Sequence, residues 1–234
     1  MSPTGALMKI NATDVSSATG NGVSGNVYAF AFDSSSNVYI GGNFHLAQFG
    51  NTGSVYNANY LAKINSSGVL QKINSSDTTS ATGNGFNNLV SSLVTDSLGN
   101  VFVGGSFQNA MIGGSAVANN ANYLAKLSPT GVLQSINALD SAGANTNGFA
   151  GSIQALAIDS NSNLYVGGAF GSCSEGGTVV TDNYFTKLSS SGGQIATVLS
   201  HPGWVLTPLP GPFGFWRMSA PIPGDGSVGD SGVA

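Results

Sequence analysis

The sequence predicts an all-β protein: an array of repeated four-stranded antiparallel units. Three observations carry that reading. A segment of the form Asn-apolar-aromatic-apolar-Gly-Gly-x-Phe occurs at 37–44, 100–107 and 163–170, a period of 63 residues. A second motif, Asn59-Tyr60-Leu61-Ala62-Lys63, returns as Asn122-Tyr123-Leu124-Ala125-Lys126, and again as Asn183-Tyr184-Phe185-Thr186-Lys187, the last copy two residues early. The third is composition: 34 Gly and 7% charged residues in a chain of 234, with Ser, Asn and Thr supplying the polarity. Such residues favour turns and strand ends over helix interiors, whereas an ordinary soluble domain carries about a quarter charged residues.

Each element has its own signal. The first strand of each unit is read at 27–32, 90–95 and 153–158, with apolar residues on both faces, as expected of a sheet covered on both sides. Asp33-Ser34-Ser35-Ser36-Asn37, Asp96-Ser97-Leu98-Gly99-Asn100 and Asp159-Ser160-Asn161-Ser162-Asn163 follow. These are hairpin turns, because Asp and Asn bond to nearby backbone and tolerate unusual dihedrals. The Gly-Gly motif is the second strand. Glycine inside a strand marks a bulge or a close backbone approach, here expected at the crowded centre of the array, with Phe44, Phe107 and Phe170 packing between units. The Tyr-Leu-Ala-Lys motif is the third strand, and its Lys63, Lys126 and Lys187 are expected at a solvated edge.

Asn65-Ser66-Ser67-Gly68 and Ser128-Pro129-Thr130-Gly131 then turn the chain into a fourth strand at 69–73 and 132–136. A matching segment at 7–10 precedes the first unit, and 195–199 is a candidate fourth strand for the third. Asn21-Gly22, Asn84-Gly85 and Asn147-Gly148 read as turns between units. The segments joining the second and third strands, 45–58, 108–121 and 171–182, differ between copies while their flanks repeat. They are read as loops, where individuality resides.

A four-stranded meander repeated at a fixed period is the unit of a β-propeller. The pairing of Gly-Gly-x-Phe with Asn-Tyr, over roughly residues 2–200, resembles the delta-sixty repeat β-propellers. The resemblance implies a propeller fold and a surface or secreted setting, in keeping with the low charge; it implies little about chemistry. Closed propellers typically have four to eight blades, so three units make a partial propeller or half-ring. Completion would come from missing blades of a longer parent chain or from self-association, and a two-chain, six-bladed ring is the most economical oligomer. The repeat region is assigned to 1–200 and a tail to 201–234, which holds six of the eight Pro, both Trp and the only Arg. Pro208, Pro210 and Pro212 prevent a helix and any central strand. A poorly ordered extension is expected there, with a docking arm bearing Trp204 and Trp216 as the alternative.

Composition also bounds function. Six Lys and Arg against ten Asp and Glu leave little to grip a phosphate backbone, so nucleic acid is not an expected partner. No stretch approaches the roughly 18 apolar residues of a membrane helix, so membrane insertion is not expected either. The single Cys, Cys173, excludes an intramolecular disulfide framework. The candidate ligand site is His45, Phe49, Asn51 and Tyr56, whose aromatic faces and amide suit a glycan. His45 aligns with Gln108 and Gly171 and so belongs to one repeat only. Asp33, Asp96 and Asp159 are candidate oxygen ligands for Ca²⁺, set against an Asx turn that fixes each hairpin; no other cofactor is expected. Asp14, Asp77 and Asp140, each three residues after an Asn, repeat in the same way. No nucleophilic triad or paired-carboxylate motif is recognisable. The expected function is therefore a non-catalytic binding or adhesion module presenting inter-strand loops to a glycan or protein partner. A structural spacer, and a polysaccharide lyase or hydrolase with its site at the propeller mouth, are the alternatives.

Overall fold

The computed structural model describes residues 10, 22–49, 56–77, 84–113, 119–136, 148–175, 178–180, 184–192, 194–195, 205–208 and 216–219. Among these residues every regular element is a strand. The chain divides into two compact units, Met1–Ile195 and Ala196–Ala234.

Among the described residues, the first unit has seven strands per repeat. The first repeat holds β1 (Gly22–Val23), β2 (Asn26–Phe32), β3 (Val38–Asn43), β4 (Leu46–Gln48), β5 (Tyr56–Asn57), β6 (Leu61–Ile64) and β7 (Leu70–Gln71). The second holds β8 (Gly85–Phe86), β9 (Val90–Thr95), β10 (Val101–Gly105), β11 (Asn109–Met111), β12 (Asn119–Asn120), β13 (Leu124–Leu127) and β14 (Leu133–Gln134). The third holds β15 (Gly148–Phe149), β16 (Ile153–Ile158), β17 (Leu164–Gly168), β18 (Cys173–Glu175), β19 (Thr178–Val180), β20 (Phe185–Leu188) and β21 (Gln194–Ile195).

Each repeat folds into a main sheet and a minor sheet. The main sheets, β2-β3-β6-β7, β9-β10-β13-β14 and β16-β17-β20-β21, are the expected antiparallel meanders. The third has its own fourth strand, β21. The minor sheets, β1-β4-β5, β8-β11-β12 and β15-β18-β19, correct the sequence reading. They are built from segments expected to be loops between strands and turns between repeats. Their strands are two or three residues long, too short for alternation to register as a pattern. Gly22, Gly85 and Gly148 open these sheets at φ +123°, +118° and +107°, a region closed to most side chains.

The Asn-Tyr motif joins one repeat to the next. Tyr60, Tyr123 and Tyr184 all take a left-handed backbone, φ 64°, 66° and 69°, uncommon for a bulky residue. The bend turns the preceding Asn toward the following minor sheet. Asn59 forms a parallel bridge with Gly85 and Asn122 with Gly148, and their carbonyls accept from the N–H of Phe86 (3.0 Å) and Phe149 (3.2 Å).

The two glycines of each Gly-Gly pair serve different neighbours. A Cβ on Gly42, Gly105 or Gly168 would strike the backbone oxygen of Asn26, Leu89 or Ser152. That oxygen lies beside the bulge where β2, β9 and β16 each carry one extra residue. A Cβ on Gly41 would instead lie 2.5 Å from Val90 Cγ1, and one on Gly104 2.6 Å from Ile153 Cγ2, both side chains of the next main sheet. Two of the three buried clusters lie between successive main sheets, and the third joins the rear of the first main sheet to the minor sheet of the same repeat. Tyr39 and Leu61 pack with Val90, Leu93, Val101 and Leu127, and Phe102 and Leu124 with Ile153, Leu164, Val166 and Leu188. The buried Phe107 and Phe170 meet Phe86 and Phe149 of the minor sheets, ring centroids 4.2 and 4.7 Å apart.

Asp77 shows how the second set of repeated acids is used. Its Oδ2 accepts from the Asn74 N–H at 2.8 Å, and its Oδ1 accepts from the Gly113 N–H of the next repeat. Asn74 Nδ2 donates to the Gly131 carbonyl at 3.2 Å. The buried turn thus pins the end of one repeat to the loops of the next. Asp14 and Asp140 lie outside the described residues.

In the second unit, β22 (Val205–Pro208) pairs antiparallel with β23 (Trp216–Ser219), Val205 opposite Ser219. Both strands of a two-stranded sheet are edges, the setting in which proline is tolerated, so Pro208 is accommodated without breaking the rule its sequence implies.

Candidate functional site

His45 follows the Gly-Gly-x-Phe motif at the step from main sheet to minor sheet. Ser24 holds that step, its Oγ accepting from the backbone N–H of His45 (3.2 Å) and of Leu46 (3.1 Å). In the second repeat Asn87 Oδ1 does the same for Gln108 and Asn109. The exposed imidazole stands with Nδ1 3.4 Å from Asn59 Oδ1 and Nε2 3.4 Å from Tyr60 Oη. The His45 and Tyr60 rings meet edge to face at a centroid distance of 4.7 Å. In the second repeat Gln108 Nε2 donates to Tyr123 Oη at 3.2 Å; in the third, Gly171 precedes an exposed Tyr184. The scaffold therefore places one tyrosine per repeat in a strained, fixed conformation and varies the residue beside it.

The four residues expected to form this site separate. His45 is exposed, but Phe49 is buried in the core with Ile40, Phe44 and Ala47, which corrects its placement on a loop surface. Phe49 directly follows β4, the central strand of its minor sheet, and a ring so placed contributes more by burial than by exposure, about 1.5–3 kcal/mol for a Phe. Tyr56 opens β5, paired to Ala47; Asn51 lies outside the described residues. The partners His45 does have, Asn59 and Tyr60, were hidden in the repeated strand motif. The signal available for them was the coincidence of an invariant Asn-Tyr with a variable neighbour.

Asp33, Asp96 and Asp159 each close their own turn. Oδ1 accepts from two backbone N–H groups, those of Ser35 and Asn37, Leu98 and Asn100, or Asn161 and Asn163, at 2.8–2.9 Å. Oδ2 accepts from the side chain of Asn37, Asn100 or Asn163 at 2.7–2.8 Å. This is the Asx geometry, and among the described residues no three His, Cys, Asp or Glu side chains gather as a metal site. Burial pushes the Asp33 carboxyl up, but the Asn37 side chain, the N–H groups of Asn37 and Ser35 and the Lys63 charge outweigh it, and the net direction is down. For Asp159 the Asn163 side chain acts most strongly, and the carboxyl is lowered to about 2.

The repeated lysines are not simply solvated. Cross-strand pairing sets Lys63 opposite Tyr39, Lys126 opposite Phe102 and Lys187 opposite Tyr165. Their ammonium groups sit 4.9, 5.5 and 5.0 Å from those ring centroids, within cation–π range. Lys63 and Lys187 also lie 3.7 Å from Asp33 and Asp159. Contact with the Tyr165 hydroxyl, and then the Asp159 charge, raises Lys187 above the usual lysine value. In the first and third repeats the turn Asp, the strand aromatic and the Lys form a brace.

What is both exposed and specific to one repeat is the His45 imidazole, set on one rigid step against the half-buried carboxamide of Asn59 and phenol of Tyr60, residue types that recur in every copy. Compared with known proteins, the chain matches no family model and no curated protein.

Proposed function

We propose that this chain is a non-catalytic binding module, a propeller-type array whose His45–Asn59–Tyr60 cluster engages a glycan at an exposed surface. The observation that supports it best is the cluster itself. Aromatic rings offer a face for sugar C–H groups, and the amide and imidazole are polar groups of the kind that hydrogen-bond hydroxyls. Preorganisation favours weak polyol ligands because little conformational entropy remains to be lost. The Tyr60 backbone bend and the Ser24 clamp supply that rigidity. The propeller part of the reading rests on the repeated sheets packing in one direction. It also rests on the approach of their first strands, where the Leu156 N–H donates to Ser92 Oγ at 2.9 Å. Such an approach is what blades arranged around an axis require.

The test is a glycan array of neutral and acidic oligosaccharides, followed by titration of the captured glycan. Wild type is expected to bind, His45→Ala to bind at least tenfold more weakly, and Tyr60→Phe to lose a smaller share. Absence of capture by wild type, or unchanged affinity in His45→Ala, overturns the reading.

A further inference from the structure

The main sheets stack in one direction through one repeated interface. The forward face of the first, around Tyr39, Gly41 and Leu61, meets the rear face of the second, around Val90 and Leu93. The forward face of the second, around Phe102, Gly104 and Leu124, meets the rear face of the third, around Ile153 and Leu156. The repeat register identifies the same positions at the two ends of the stack. On the rear of the first sheet Ile40, Ala62 and Ile64 are buried with the minor sheet of their own repeat, and the first strand, β2, is the part left open. On the rear of the first sheet Phe30 is 59% exposed, whereas its counterpart Leu93 is 6% exposed; Val27 and Phe32 are exposed beside it. On the front of the third sheet Phe185 is 36% exposed, whereas its counterpart Leu124 is 2% exposed. A Cβ on Gly167 would find nothing nearer than 3.9 Å, although the same atom on Gly41 or Gly104 would overlap the next sheet.

Two apolar faces of this kind on one molecule are interaction surfaces, and these two are the complementary halves of an interface the chain already forms twice within itself. We propose that the rear face of the first main sheet docks onto the forward face of the third main sheet of a second copy of this chain, and that two copies close head to tail. Gly167 of each copy receives Val27 of the other, as Gly41 receives Val90 and Gly104 receives Ile153. Phe30 fills the place that Leu93 and Leu156 fill inside the chain. A second copy is the fitting occupant because every copy carries both halves. A head-to-tail contact must either close or propagate, and closure at two copies gives six main sheets, within the four to eight at which rings of such sheets close. Only the closure rests on the propeller-type reading; the contact does not depend on glycan binding.

The experiment is light-scattering mass of the full chain across micromolar concentrations, with no ligand present. Wild type is expected at twice the mass of one chain. Phe30→Glu and Gly167→Trp place a charge or bulk on faces open within the chain, so each is expected to keep its β-type circular dichroism and fall to the mass of one chain. Ala155→Glu, on the same exposed front face as Gly167, is expected to do likewise and guards against a folding failure of the Trp variant. Mixed together, Phe30→Glu and Gly167→Trp each retain one intact half and are expected to form a one-to-one complex. Wild type at the mass of one chain, a mass that grows without limit with concentration, or no complex in the mixture overturns the proposal. So does a pair that survives every one of these substitutions.

Discussion

The clearest perturbation of the sheet-to-sheet packing is a methyl group at Gly104. Its carbon would lie 2.6 Å from Ile153 Cγ2 and 3.2 Å from Leu156 Cδ1, the first about 1 Å short of an ordinary carbon contact of about 3.5–4.0 Å. Ile153 is buried and, being β-branched, is stiff at χ1. Relief must therefore come from sheet separation, and Gly104→Ala is expected to cost about 1–3 kcal/mol. Ile153→Ala alone opens a cavity and is expected to cost about 2–5 kcal/mol. In the double variant the offending methyl is gone. The new Cβ faces Ile153 Cβ at 3.3 Å, tight but tolerable, and it occupies part of the space left behind. The double variant should thus be more stable than the sum of the singles implies, by about 1 kcal/mol or more. Urea unfolding of the four proteins at one concentration measures this, and each kcal/mol corresponds to a melting shift of about 2–4 °C for a chain of this size. Additivity within about 0.5 kcal/mol, the behaviour of independent sites, would falsify the claim that Gly104 exists to admit Ile153. Gly105→Ala is the contrast: its tightest clash is with the Leu89 backbone oxygen, so removing the Phe107 side chain 2.9 Å away gives no rescue.

Three further outcomes are expected. The Asp159 carboxyl is lowered from 3.8 to about 2, so its contribution to stability is complete above the unfolded value and is lost as pH falls from 3.8 toward 2. Thermal melts between neutral pH and pH of about 2 should show this loss flattened in Asp159→Asn, and equal slopes in the two proteins would count against the hairpin clamp. Ser36 holds φ +61° where the second repeat has Gly99 at φ +81°. Ser36→Gly is therefore expected to raise stability by about 0.5 kcal/mol, the left-handed cost outweighing the added chain entropy; a lowered melting temperature refutes it. Asp77→Ala leaves the N–H groups of Asn74 and Gly113 without their carboxylate and is expected to cost about 1–3 kcal/mol, read by urea denaturation, with no measurable loss as the contrary result.

Local chemistry made much of the main sheets legible. Asp33 and Asn37 sit four residues apart and close the turn between them, so the hairpin is encoded within the segment that forms it. The same holds for the turn at Gly131, whose N–H donates to the Ser128 carbonyl. The minor sheets were hidden because β1 pairs with β4, and β4 with β5, through segments of two or three residues that carry no alternation of their own. Phe49 and His45 lie four residues apart in one segment, yet one is core and the other surface, a division made by Ile40 and Ala47 packing beneath the chain rather than by composition. The partners of His45 are Asn59 and Tyr60, fourteen and fifteen residues further along. Lysines expected at a solvated edge lie over aromatic rings because strand register, absent from a one-dimensional motif, sets Lys63 opposite Tyr39.

The sequence by itself determined the period, which is read by comparing copies of one motif, and the tight turns, because these close between residues a few positions apart. Only the tertiary structure decided what the repeats do to one another. Val27, Val90 and Ile153 occupy the same position in three copies of one motif, yet Val90 and Ile153 are buried against a glycine of the preceding sheet while Val27 is exposed. The difference lies in which neighbour is present, and a neighbour is a property of the stack rather than of the segment.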